Sequence, residues 1–162
     1  MHLKYKSHQI TKQTKKCIVA IHGWGGNSSS FYQIINSLNL DGVGFYCPQA
    51  PYKIDNNRFS WAYQHPSGKW EVEEPKNLFK QFFDQVVLSM HSHSNVYVIG
   101  FSQGASVCYE LITRLKQPLG GIFPIAGFLR SKRSTYFDKI SKNILTMPVC
   151  IAHGIKDDVV SP

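Results

Sequence analysis

Short apolar runs alternate along this chain with stretches whose apolar residues recur at helical spacing. The runs at 17–21, 43–47, 96–101, 120–128 and 147–152 are short and mostly β-preferring, and read as strands buried on both faces of a sheet. Between them, Phe31, Ile34, Ile35 and Leu38 mark a short amphipathic helix behind Asn27 and three serines that can cap it. A longer helix starts at Glu73-Glu74-Pro75, with acids and a proline where a helix N-terminus favours them. It presents Leu78, Phe79, Phe82, Phe83, Val86, Val87 and Met90 on one face. A third helix, from Ala105 to Leu115, carries Val107, Cys108, Leu111, Ile112 and Leu115. Residues 1–16 are basic, with a faint alternation suited to an edge strand. Residues 52–74 form a long aromatic connection, and 131–144 a polar, partly helical excursion. Strands alternating with helices predict an α/β fold: a mostly parallel sheet with helices on both faces and sites at the carboxyl ends of its strands. The length and the lack of any linker predict a single domain over residues 1–162.

Composition narrows the function classes. The net charge of +8 comes largely from Lys4, Lys6, Lys12, Lys15 and Lys16 and from Arg130, Lys132, Arg133, Lys139 and Lys142. No aromatic-interleaved basic helix accompanies them, so a solvated basic surface is expected and no nucleic-acid partner. Cys17, Cys47, Cys108 and Cys150 form no C-x-x-C pair, which fits buried free thiols in a reducing compartment. No run is long enough to span a membrane and the first residues do not form a signal peptide; a cytoplasmic protein is expected. His91 and His93 close a helix, where a cation caps more readily than it binds metal. No phosphate-binding glycine pattern or ligand set occurs, so no cofactor and no metal are expected.

The run at 96–101 leads directly into Gly100-Phe101-Ser102-Gln103-Gly104 and then into a helix. Strand, G-x-S-x-G, helix is the context of a nucleophile elbow. So sharp a turn strains the serine, and side chains two residues before or after it would collide, which accounts for Gly100 and Gly104. The Ser102 oxygen then stands above the sheet, with the free N–H groups of the helix start beside it. Two further strand ends carry His22-Gly23-Trp24-Gly25-Gly26 and His153-Gly154-Ile155-Lys156-Asp157.

These segments, with Tyr46-Cys47-Pro48-Gln49-Ala50-Pro51 and the Ser60-Trp61 pair, resemble the α/β-hydrolase fold, and within it the phospholipase/carboxylesterase family that includes acyl-protein thioesterases. The resemblance implies a serine hydrolase acting on a small-molecule acyl ester or thioester. It implies Ser102 as nucleophile, Asp157 as triad acid in preference to Asp158, and the backbone N–H groups of Trp24 and Gln103 as the oxyanion hole. His22 is then structural rather than a proton carrier, and Trp61, in the aromatic loop, is expected to line an apolar acyl site.

One departure is large. The triad order is Ser, Asp, His, and no histidine follows Asp157; the family's last strand and final helix are missing too. The expectation is a C-terminally incomplete hydrolase with little turnover, open to self-association through an exposed sheet edge. His65, in the aromatic loop, is the one substitute base with any reach. The alternative is a non-catalytic protein that binds a ligand in the same cleft.

Overall fold

The computed structural model describes residues 3–129, 136 and 138–161. In chain order its elements are β1 (Tyr5–His8), β2 (Lys16–Ile21), α1 (Ser28–Asn36), β3 (Val43–Pro48), β4 (Tyr52–Lys53), β5 (Phe59–Ser60), β6 (Tyr63–Gln64), β7 (Trp70–Glu71), α2 (Glu73–Phe82), β8 (Val96–Phe101), α3 (Gln103–Ile112) and β9 (Gly121–Ile125). The main sheet runs β1-β3-β2-β8-β9, parallel except for β1, which pairs antiparallel with β3 at the edge. This is the α/β-hydrolase architecture. Of the polar, basic excursion expected at 131–144, residues 131–135 and 137 lie outside the described residues; Lys142–Ile144 is a 3₁₀ turn. No described helix is long and apolar enough to cross a membrane.

Local chemistry sets the helix boundaries. The Asn27 side chain accepts from the N–H groups of Ser29 and Ser30, which starts α1. The Glu71 carboxylate receives the N–H groups of Glu73 and Glu74 at the start of α2. After Phe82 that helix widens into a π-helical turn, Phe83–Val87, and Met90 falls outside the buried face expected for it.

The two faces of the sheet differ. Cys17, Val19, Ile21, Val96, Val98 and Ile122 pack beneath α2 and α3 in the main core. On the other face a small cluster of Ala20, Ile35, Phe45 and Cys47 sits under α1. Phe101 and Phe123, further along that face, are 49 % and 36 % exposed.

The strand expected at 147–152 is present only as two parallel bridges to β9, Ile122 with Val149 and Ile125 with Ala152. The reason is chemical: Pro124 has no N–H, so one rung of the ladder cannot form. Four backbone hydrogen bonds remain, through Pro148 O, Cys150 N, Ala152 N and Ala152 O. Three cysteines are buried as expected, but Cys150 is exposed. The bridge register places it beside Phe123 on the uncovered face.

Candidate active site

Ser102 joins β8 to α3 at φ +53°, ψ −117°, in a region that side-chain-bearing residues rarely occupy. Its N–H donates to Ile125 O at 2.8 Å, and its carbonyl accepts from Ala105 and Ser106. The flanking glycines are obligatory. A Cβ on Gly100 would lie 2.3 Å from Gly104 O, and one on Gly104 would lie 2.2 Å from Ile21 O. Gln103 opens α3, so its N–H has no intrahelical acceptor.

The loop after β2 lies directly on this elbow. A Cβ at Gly23 would be 3.3 Å from the Ser102 Cβ. Trp24 follows, its ring 56 % exposed beneath the Arg58 guanidinium at 4.9 Å. Among the described residues its N–H finds no backbone acceptor. Behind the loop His22 is buried with both ring nitrogens engaged. Ala50 N–H donates to Nε2 at 3.1 Å, which makes Nε2 the unprotonated nitrogen. Nδ1–H therefore donates to Gly23 O at 2.8 Å. Burial pulls the His22 pKa below its ordinary value, partly opposed by that bond to Gly23. A histidine held neutral and saturated in this way shapes the loop and carries no proton for chemistry.

Trp61 is buried, and it lines the inner wall of the cleft between α2 and α3. It is 2 % exposed, tilted against His22 and edge-on to Phe79, with its indole N–H donated to His22 O at 2.9 Å. Its size and single donor suit a buried site with one carbonyl to satisfy, and the ring supports the loop from inside. The exposed aromatics at this end of the sheet include Trp24 and Phe101.

Asp157 lies at the same end of the sheet. Parallel register brings Phe101, Ile125 and Ala152 side by side, so Ser102, Ala126 and His153 begin three adjacent loops. Asp157 Oδ1 accepts from Val159 and Val160 N–H at 3.0 and 2.9 Å. His153 Nε2–H donates to Val160 O at 2.7 Å and lies 3.5 Å from Asp157 Oδ2. The Val160 and Val159 N–H groups, and then the His153 ring, hold the Asp157 carboxyl below its ordinary pKa. Asp158 makes no comparable bonds and is exposed.

No histidine hydrogen-bonds to Ser102 among the described residues. His8 meets Tyr32, His91 meets Tyr46, and His22 and His153 are bound as above. His65 sits on the β6–β7 hairpin, edge-on to Tyr63 at 5.0 Å and facing Glu71. Among the described residues no group of three or more histidine, cysteine or acidic side chains is arranged to hold a metal ion. A cleft of about 340 Å³ between α2 and α3, lined by Phe79, Phe83, Val107 and Leu111, takes in neither Ser102 nor Asp157. The strained turn at Ser102 lies outside that cleft.

The aromatic-loop residues beside Trp61 escaped the sequence reading as site components. Ser60, Phe59, Gln49 and Ala50 all bond to the loop or the elbow through backbone atoms or amide side chains. Their signal was the unusual pairing of Pro48-Gln49-Ala50-Pro51 with Ser60-Trp61, whose partners are far away in sequence.

Comparison with known proteins agrees with this geometry. Residues 8–161 match the phospholipase/carboxylesterase family model. An acyl-protein thioesterase 1 of Kluyveromyces lactis is 28 % identical over 165 residues, covering 90 % of this chain and 71 % of that protein. One from Debaryomyces hansenii is 25 % identical, covering 93 % and 73 %. Among solved structures, esterase PE8 superposes with a TM-score of 0.83 at 21 % identity, over 99 % of this chain and 79 % of its own. Acyl-protein thioesterase 2 of Zea mays superposes at 0.73 and 22 %, over 98 % and 78 %. With the strained serine, its two glycines and the loop packed on it already in place, the family match leads to one conclusion: this chain belongs to the phospholipase/carboxylesterase family.

Proposed function

We propose that this chain is built for serine ester or thioester hydrolysis through an acyl-enzyme. The observation that carries the reading is Ser102, held at φ +53° between two glycines that no other residue could replace without backbone clashes. A protein that only bound ligands would gain nothing from that strain. Ser102 Oγ attacks the acyl carbonyl, and its proton passes to a base. The Trp24 and Gln103 N–H groups hold the oxyanion, and the alkoxide or thiolate leaves with a proton returned to it. Water then cleaves the acyl–serine bond, releasing the acid and restoring Ser102. Asp157 orients the base and stabilises its cation.

The base is the element without an occupant among the described histidines: His8, His22, His91 and His153 are hydrogen-bonded elsewhere, His65 packs on Tyr63, and His93 lines the cleft between α2 and α3. The chain as it stands is therefore expected to turn over an activated acyl ester slowly. Added imidazole should accelerate it in a Ser102-dependent manner, with no gain in Ser102→Ala. Ordinary esterase rates without imidazole, abolished in Ser102→Ala, would overturn the missing-base reading. Tight acyl-ligand binding with no Ser102-dependent turnover under either condition would favour a binding role in the same cleft.

A further inference from the structure

Gln103 is 6 % exposed, and both the oxygen and the nitrogen of its carboxamide are hydrogen-bonded. Oε1 accepts the Trp61 backbone N–H at 2.8 Å, and Nε2–H donates to Ser60 Oγ at 3.0 Å. Proton counting fixes this orientation. The single Ser60 hydroxyl proton goes to Ala62 O at 2.6 Å, so Ser60 Oγ must accept from Gln103 Nε2 and from Ala62 N–H. A flipped amide would set two acceptors against each other.

The clamped segment in turn grips the loop that carries Trp24. Gly25 N–H donates to Phe59 O at 2.9 Å, and Phe59 N–H donates to Gly26 O at 3.1 Å. The Trp61 indole holds His22 O, Asn27 Nδ2 reaches Asn57 O, and Arg58 lies over the Trp24 ring. Residues 57–61 are thus a brace with one end on the elbow and the other on the loop after β2.

We infer that the Gln103 carboxamide is a positioning residue that fixes the Trp24 loop through residues 57–61. One residue then serves both halves of the oxyanion hole: its own N–H is one donor, and its side chain sets where the other donor points. This rests on the proposed oxyanion hole, but the brace itself can be tested without turnover. Buried networks of this kind hold geometry only while every member is satisfied.

The test uses the ¹⁵N-labelled full chain, following the Trp61 indole and Trp24 backbone N–H resonances, the indole assigned by its loss in Trp61→Phe. In Gln103→Leu, solvent exchange of the Trp61 indole should rise about tenfold or more, the scale of one lost hydrogen bond, and the Trp24 amide should shift. Gln103→Glu separates polar positioning from space filling. Its protonated carboxyl can accept from Trp61 N–H and donate to Ser60 Oγ, whereas the carboxylate cannot donate. Relative to wild type at each pH, Gln103→Glu should therefore approach wild-type resonances on acidification and diverge as the pH rises. Wild-type Trp24 and Trp61 signals in folded Gln103→Leu would overturn the inference. So would a Trp61 response that leaves the Trp24 amide unmoved, or a Gln103→Glu difference that does not change with pH. If Gln103→Leu does not fold, the pH series in Gln103→Glu decides alone. Ser102 that is unreactive in an intact, responsive brace would fail the proposed function and leave this inference standing.

Discussion

The Ser102 side of the proposed site and the Asp157 side are built to different standards. Around Ser102 the groups at the centre of the support are buried and tied from several directions: Gln103 and Ser60 to each other, Trp61 to His22, and His22 to Gly23 and Ala50. Around Asp157 the support is one short turn, made of two N–H groups and a histidine bond to Val160 O, with exposed neighbours on both sides. Oxyanion donors must sit within tenths of an ångström of a transient charge, which demands a rigid surround. A carboxylate that orients a base acts through one direct hydrogen bond to that base, one step removed from the reacting carbonyl. The difference in construction follows the difference in how directly each group meets that carbonyl.

That contrast can be broken at several points. Trp61→Ala should cost about 3–5 kcal/mol in urea unfolding, because a buried ring and its hydrogen bond leave together. Gly104→Ala should cost about 1–3 kcal/mol through overpacking against Ile21 O, and Ser102 reactivity should fall with it. Acid should then separate the two sides. Burial lowers the folded pKa of His22 and of His91, so the unfolded state binds their protons first. Their contribution is complete above the ordinary histidine value of 6.5 and is lost as pH falls below it. The Asp157 carboxyl is also lowered, but from 3.8, so its contribution persists until the pH drops under that value. The Trp61 indole resonance should therefore move at higher pH than the Val160 amide; coincident transitions would contradict the separation. Smallest of all, Asp157→Ala should leave the melting temperature close to wild type while slowing imidazole-assisted turnover.

The uncovered face gives a further check. With Phe101 and Phe123 exposed beside an open edge, sedimentation should show association rising with concentration, and Phe123→Lys should reduce it. Concentration-independent monomers would remove that expectation.

Most of the fold is written in local pattern. The buried strands, the Asn27 cap and the elbow each depend on residues within a few positions, and apolar periodicity reports them directly. What the pattern leaves open shares a cause. Sequence shows the ring chemistry of Trp61 but not which way the ring turns, and its partner His22 is 39 residues away. The same distance hides the Gln103–Ser60 clamp, 43 residues apart. Cys150 reads as buried because an apolar run carries no record of whether a helix covers it. The strand at 147–152 is shorter than its pattern because a proline in its neighbour, Pro124, removes a rung.

That missing rung bears on the order in which the molecule assembles and opens. Residues 148–152 join the sheet last in sequence and hold it through four backbone bonds on one side only. Segments with so few ties exchange their amide protons by local opening rather than by global unfolding. The segment carrying Asp157 should thus detach and redock while β2, β8 and α3 stay folded. In a nascent or heated chain the strained Ser102 turn would already be formed before Asp157 docked, and the lifetime of the docked segment would set how much of the population holds both in place at any moment.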